Sequence, residues 1–226
     1  MKKGNRIAAS IVMLFFVFSC SNNGKPSGTN GTRISKETPE ISKKKTIVFF
    51  GNSLTAGYGL SSPTQAFPAL IQAKIDSLQL SYTVVNAGVS GETTSGGASR
   101  IDWILRQPLD VFVLELGAND GLRGIAIAET KKNLQAIIDA VRAKYPTAKI
   151  VLAGMQLPPN MGQAYANSFR NLYPELAQKN KLTLIPFLLQ GVGGEAALNQ
   201  ADGIHPTAEG ARIVAQNVWQ VLRPLL

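Results

Sequence analysis

From Thr46 onward, apolar residues fall into two alternating patterns. Thr46 to Phe50 (T-I-V-F-F) is a short continuous apolar, β-branched run, as a strand buried on both faces requires. Runs of this kind recur at Tyr82 to Asn86, Val111 to Leu116, Lys149 to Ala153 and Leu182 to Pro186. Between them apolar positions repeat at helical spacing: Ala66 to Gln79, Ser99 to Arg106, Ile127 to Tyr145, Tyr165 to Asn180, and a closing stretch Ala208 to Leu222. Strands alternating with helices predict a parallel sheet covered on both sides. The expected class is therefore α/β, a three-layer α/β/α sandwich with about five strands.

The first 45 residues follow neither pattern. Lys2, Lys3 and Arg6 precede a nearly all-apolar run from Ile7 to Ser19, and Cys20 follows at once. A basic start, a short apolar stretch and a small residue before the cut describe a secretory signal. The run is too short for an ordinary span of about 20 residues. Cys20 is the sole cysteine, which rules out a disulfide within the chain. Its position resembles the bacterial lipobox, in which the cysteine is lipidated and becomes the first mature residue. The plainer alternative is a signal helix that merely contains a cysteine. Ser21 to Lys45 is rich in Ser, Asn, Gly, Thr, Lys and Pro, the composition of a flexible tether. The expected organisation is a signal peptide at 1–19, a lipidated Cys20 with its tether at 20–45, and one domain at 46–226. That places the protein outside the cytoplasm, held by Cys20 to a membrane of the bacterial cell envelope.

Charge supports that division. The formal net charge is +9, but residues 1–45 hold nine Lys/Arg against two Asp/Glu, whereas 46–226 hold fourteen against twelve. The basicity belongs to the signal and tether, where an anionic membrane surface would attract it. A near-neutral domain gives no reason to expect nucleic acid as a partner.

Candidate chemistry sits where strands should end. His205 is the chain's only histidine, in Asp202-Gly203-Ile204-His205-Pro206, so proton transfer by an imidazole near neutral pH has one candidate. Asp202, three residues upstream, has the spacing to accept the Nδ1 proton; it is equally an ordinary turn former beside Gly203. Ser53 follows the first strand in Gly51-Asn52-Ser53-Leu54, a place commonly taken by a helix N-cap. The segment after it, Leu54 to Gly59, reads as small and flexible. Ser, His and Asp in these roles make a nucleophile, a base and an orienting acid. Asn119, in Leu116-Gly117-Ala118-Asn119-Asp120-Gly121, is either a turn residue or a donor to a developing oxyanion. Gly91 offers an unobstructed backbone N–H for the same purpose, and the Ser53 N–H would be the third donor.

Taken in order, G-N-S-L-T, N-A-G-V-S-G-E-T-T, L-G-A-N-D-G-L-R-G and D-G-I-H-P resemble the four blocks of the SGNH (GDSL) hydrolase family. The wording around them is similar to the bacterial thioesterase/protease/lysophospholipase subgroup. The resemblance runs from about Thr46 to the C-terminus and implies a flavodoxin-like sandwich. It implies Ser53 as nucleophile, Gly91 and Asn119 as oxyanion donors with Ser53, His205 as base and Asp202 as acid. No metal or organic cofactor is implied. Asn52 departs from the family, which usually has Asp there; the expectation is that the amide preserves the turn and activity survives.

Other features read as structural. Gly51 to Gly57 lacks the Lys-Ser/Thr of a phosphate-binding loop. Trp103 and Trp219 are expected in the core, and one histidine with one cysteine cannot build a zinc site. Leu122, Ile125, Leu157 and Met161 lie in loops expected to rim the cleft, where they would line an acyl chain or pack on the domain. The resulting expectation is a serine esterase acting on small esters, thioesters or lysophospholipids. The alternatives are a carbohydrate or envelope O-deacetylase with the same residues, and a noncatalytic ligand-binding lipoprotein.

Overall fold

The run that opens the domain becomes β1 (Lys45–Gly51), whose last five residues are all buried. It is the strand on which the sheet is built. The computed structural model describes residues 44–226; the expected signal, Cys20 and all but the end of the tether lie outside the described residues. β2 (Tyr82–Gly88), β3 (Val111–Glu115), β4 (Lys149–Ala153) and β5 (Thr183–Ile185) complete a five-stranded sheet in the order β2-β1-β3-β4-β5. Every pairing is parallel. The helices are α1 (Ser53–Ala56), α2 (Phe67–Ser77), α3 (Thr94–Ile104), α4 (Ala118–Leu122), α5 (Ile127–Lys144), α6 (Gln163–Asn180) and α7 (Ala208–Leu222). α2 packs on α7, while α3 and α6 both pack on α5. Right-handed crossovers place the first pair on one face of the sheet and the other three opposite. The result is the expected α/β/α sandwich, with the strand order of flavodoxin-like folds.

Phe49, Phe50, Phe112, Phe169 and Tyr173 are fully buried. Phe49 meets Phe67 edge-on, with ring centroids 5.5 Å apart. Gly97 is what lets α3 lie against the sheet, since a Cβ there would stand 2.4 Å from Leu116 Cδ1.

Four expectations change. β2 and β5 are edge strands rather than strands buried on both faces: Val85 on β2 is 42% exposed and only Ile185 of β5 is buried. α3 begins at Thr94, five residues earlier than its apolar spacing indicates, because the Thr93 hydroxyl caps the Gly96 N–H and the helix runs through the glycine pair. Trp103 is 65% exposed, since the buried stripe of α3 runs through Thr94, Gly97, Ile101 and Ile104 and misses it; Trp219 is buried as expected. The segment after Ser53 is not loose. It forms a helical turn, capped by Asn52 and closed by Gly57 in the left-handed region at φ 79°.

β1 lies between β2 and β3, so the chain leaves it in opposite directions along the sheet. That switch point opens a crevice at the carboxyl ends of the strands.

Candidate active site

Ser53 stands on that crevice, two residues beyond the end of β1, and is 8% exposed. Three successive backbones reach the same level there, because Gly51 pairs with Gly88 on one side and with Glu115 on the other. Gly51 has no room for a side chain: a Cβ would stand 2.1 Å from Thr55 Oγ1 and 2.5 Å from Glu115 Oε2. Asn52 Oδ1 accepts the Leu54 N–H at 2.9 Å, which starts α1 and fixes Ser53 at its first position. A first helical position leaves its N–H without an intrahelical acceptor, so the Ser53 amide is available to a ligand.

His205 comes from the other end of the chain. Its Nε2 is 2.8 Å from Ser53 Oγ, and its Nδ1 is 2.6 Å from Asp202 Oδ2. Asp202 Oδ1 also accepts the backbone N–H groups of Ile204 and His205. These bonds, the His205 backbone N–H foremost, hold the Asp202 carboxyl at about 2, so it stays an anion through the ordinary acid range. Gln200 clamps the turn, donating from its backbone to His205 O at 2.7 Å and from its side chain to Tyr58 O and Pro206 O. The Tyr58 ring lies 4.7 Å from the imidazole. With Nδ1–H given to Asp202, Nε2 has a lone pair for the Ser53 proton.

Gly91 lies in the turn that follows β2 and Asn119 at the start of α4, which follows β3; these two strands flank β1. Gly91 adopts φ 79° with open space around it, and Asn119 Nδ2 donates to Glu92 O at 2.9 Å. The carboxamide is thereby oriented, with a second hydrogen that this bond does not use. Sequence reading missed what supports this loop. Arg100 binds both carboxylate oxygens of Glu92 at 2.5 Å and donates to Ala87 O at 2.8 Å, its guanidinium 4.0 Å from the Phe50 ring. Asp120, fully buried, accepts the Thr94 N–H and hydroxyl and joins α4 to α3. Arg100→Ala strands the nearly buried Glu92 carboxylate, so the expected loss is about 3 kcal/mol of stability. A roughly tenfold or greater fall in kcat should accompany it, because Asn119, the expected oxyanion donor, loses the support of the Glu92 carbonyl. Thermal melts and ester hydrolysis read the two effects; an unchanged kcat would show that the loop holds its shape without Arg100.

Glu115 was also missed. It is buried under the Ser53 turn, accepting from Asn52 N at 3.1 Å, Asn52 Nδ2 at 2.8 Å and Thr55 Oγ1 at 2.7 Å. Burial outweighs these bonds and pushes its carboxyl up to about 7. The raised value means that its contribution to stability is fully present below the usual carboxylate range and is lost as pH rises through about 7. Its signal in the sequence is one carboxylate closing an otherwise apolar strand, V-F-V-L-E.

Ser53 and His205 themselves line a small pocket with Tyr58, Phe67 and Pro206. A larger cleft of about 470 Å³ opens beside Leu54, the residue after Ser53, lined by Leu54, Leu122, Met155, Leu157, Phe187, Leu189 and Ile204 among others. Two of the four expected lining residues, Leu122 and Leu157, border it. Ile125 and Met161 do not: the Ile125 carbonyl is tied to the Tyr165 hydroxyl at 2.6 Å, and Met161 ends a 3-10 turn leading into α6. Among the described residues no three His, Cys, Asp or Glu side chains gather to hold a metal ion.

A hydroxyl, an imidazole and a carboxylate in sequence, with amide donors alongside and an apolar cleft next to them, are the parts acyl transfer to water needs. Fold and site together define a serine-type ester hydrolase. The chain belongs to the GDSL-like lipase/acylhydrolase family, whose family model matches residues 49–213. It is 41% identical to "Esterase TesA" of Pseudomonas aeruginosa over 183 residues, covering 80% of this chain and 90% of that protein. It is 37% identical to "Thioesterase 1/protease 1/lysophospholipase L1" of Escherichia coli K12, covering 80% of this chain and 85% of that one. Among solved structures, the psychrotrophic esterase EstA from Pseudoalteromonas sp., inhibited by monoethylphosphonate, superposes with a TM-score of 0.75 at 30% identity, over 80% of this chain and 98% of that one.

Proposed function

We propose that this enzyme hydrolyses carboxylic esters and thioesters with an apolar acyl group, lysophospholipids among them, through an acyl-enzyme on Ser53. The observation that carries the reading is the unbroken Ser53–His205–Asp202 contact, at 2.8 and 2.6 Å, beside an apolar cleft. Ser53 Oγ attacks the carbonyl carbon as His205 Nε2 takes its proton. The carbonyl oxygen becomes an anion held by the Ser53 and Gly91 amides and the Asn119 carboxamide. His205 then gives the proton to the leaving alcohol or thiol, and a water repeats the cycle to free the acid. The printed names of the relatives, esterase and thioesterase/lysophospholipase, support this substrate range.

A chain-length series tests the acyl cleft. Each buried methylene is worth roughly 0.8 kcal/mol, so kcat/KM should rise steeply from p-nitrophenyl acetate to p-nitrophenyl decanoate. A preference for acetate, or for acetylated xylan, would assign the site to deacetylation instead.

The same proposal places the domain on a cell-envelope membrane through a lipid on Cys20, supported by the basic, apolar and cysteine order at the N-terminus. In cells fed labelled palmitate the full chain should carry the label and fractionate with membranes, and Cys20→Ser should do neither. A labelled Cys20→Ser chain would refute the anchor.

A further inference from the structure

The Ser53 turn rests on a buried carboxylate that the reaction itself does not use. Asn52 is 1% exposed and Glu115 is 1% exposed, so neither side chain has water to satisfy it. Each end of the Asn52 carboxamide has a partner that dictates its identity. The end toward Glu115 must be the NH₂, because it meets a carboxylate oxygen at 2.8 Å. The end toward α1 must be the oxygen, because it accepts the Leu54 N–H at 2.9 Å and lies 3.4 Å from Ser53 Oγ. The other Glu115 oxygen receives the Asn52 backbone N–H and the Thr55 hydroxyl. One carboxylate thus fixes the residues before and after Ser53 and sets which way the amide between them faces.

We propose that Glu115 is a positioning residue for the nucleophile, acting through Asn52 as an oriented relay that keeps an acceptor against the Ser53 turn. The proposal rests on Ser53 being the nucleophile and names a residue pair whose polarity can be exchanged. With glutamine at 115 alone, an NH₂ group faces the Asn52 NH₂. Either amide can turn over to relieve this, but the Asn52 flip aims a donor at the Leu54 N–H, and the glutamine flip aims one at the Asn52 backbone N–H. Two donors then oppose each other in a site without water. With aspartate at 52 alone, two carboxylates meet at hydrogen-bond distance and must share a proton; raising the pH removes it and drives them apart. With both changes the glutamine NH₂ donates to the aspartate, whose second oxygen still accepts the Leu54 N–H. Every bond is kept, and only the one between the two side chains reverses its direction.

Other charged groups near the pair are the same in all four proteins. They are Tyr173, whose phenol donates to Leu116 O beside Glu115, and Asp120, buried at the start of α4. Arg100 reaches Gly51 O at 3.4 Å, and the Asp202–His205 pair lies beyond Ser53. Glu115 itself gains its charge near pH 7 in wild type, so the full pH profile of each protein, rather than the ratio at one pH, reports on the exchanged pair.

The test measures kcat, KM and the rate of fluorophosphonate labelling at Ser53 for wild type, Glu115→Gln, Asn52→Asp and the double variant from pH 5 to 9. Glu115→Gln should lower kcat and labelling roughly 10- to 100-fold at every pH, with KM little changed, as expected of a misplaced nucleophile. Asn52→Asp should approach wild type at pH 5 and lose ground steadily toward pH 9. The double variant should recover to within about fivefold of wild type and show no such decline, a coupling that independent sites do not give. A double variant as poor as the product of the single ones, or single variants with wild-type kcat at every pH, overturns the proposal. If Glu115→Gln does not fold, the pH trend of Asn52→Asp and its cancellation in the double variant still decide it. Wild type left unlabelled at Ser53 would instead overturn the nucleophile assignment on which this rests.

Discussion

Ser53→Ala should lower kcat by at least about 10⁴-fold, and His205→Ala by a similar factor, while the double variant is no worse than either alone. Residues acting as one proton-relayed unit lose their function together, so their losses do not multiply. The structure gives a specific reason to expect this here. Ser53 Oγ has His205 Nε2 at 2.8 Å, and the chain contains no second histidine to take over as base. A single-conformer nucleophile without its base is an ordinary alcohol, and a base without its nucleophile has only water to activate. Steady-state hydrolysis of p-nitrophenyl decanoate by purified variants is the measurement, with melting curves to confirm that each is folded. Losses that multiply in the double variant would mean that the two groups act in separate steps or separate sites.

The second large effect belongs to Asn119. Asn119→Ala should reduce kcat about 10²–10³-fold with little change in KM, the cost of removing one donor to the transition-state oxyanion. Its carboxamide also donates to Glu92 O, so alanine frees the loop as well as deleting a donor. Asn119→Asp separates these effects: the residue keeps its size, but an anion now faces the forming charge and the Glu92 carbonyl. It should be worse than alanine at pH 8. An aspartate variant as active as wild type would show that no negative charge develops near residue 119.

Much of this was legible in the sequence, for physical reasons that can be named. β4 and α7 run between the residues their patterns indicate, because β4 is apolar throughout after Lys149 and α7 keeps one unbroken buried stripe from Gly210 to Leu222. The four motif-bearing turns could be placed together because parallel α/β sheets gather their loops at one edge. β2 deceived because its apolar residues suit an edge as well as an interior, and strand order is not written in a strand. The glycines of α3 read as breakers, yet there they permit contact between helix and sheet. Glu115 acquires its role only through a distant partner, Asn52, 63 positions away in the chain. Arg100 and Glu92 are eight apart, but the residue they support, Asn119, is 27 from Glu92. Phe187 and Leu189 join the cleft wall from a segment that carries no motif, and Ile204 joins it from within D-G-I-H-P. Asn52 was visible as a departure, and the expected preservation of the turn holds, since its Oδ1 accepts the Leu54 N–H; its contact with Glu115 was not visible. Facing a buried carboxylate, an amide at that position is a matched partner rather than a defect, and restoring aspartate should not raise turnover.

The imidazole and its carboxylate share one turn, three residues apart, whereas the contact with the serine bridges 152 positions. The first pairing is as durable as that turn; the second lasts only while the end of the chain stays seated, with Gln200 reaching Tyr58 O. Local opening in proteins precedes global unfolding wherever few contacts hold an element. In mild denaturant, then, hydrolysis should fade while far-ultraviolet ellipticity persists, and the enzyme reports the loosening of the exposed turn that carries His205.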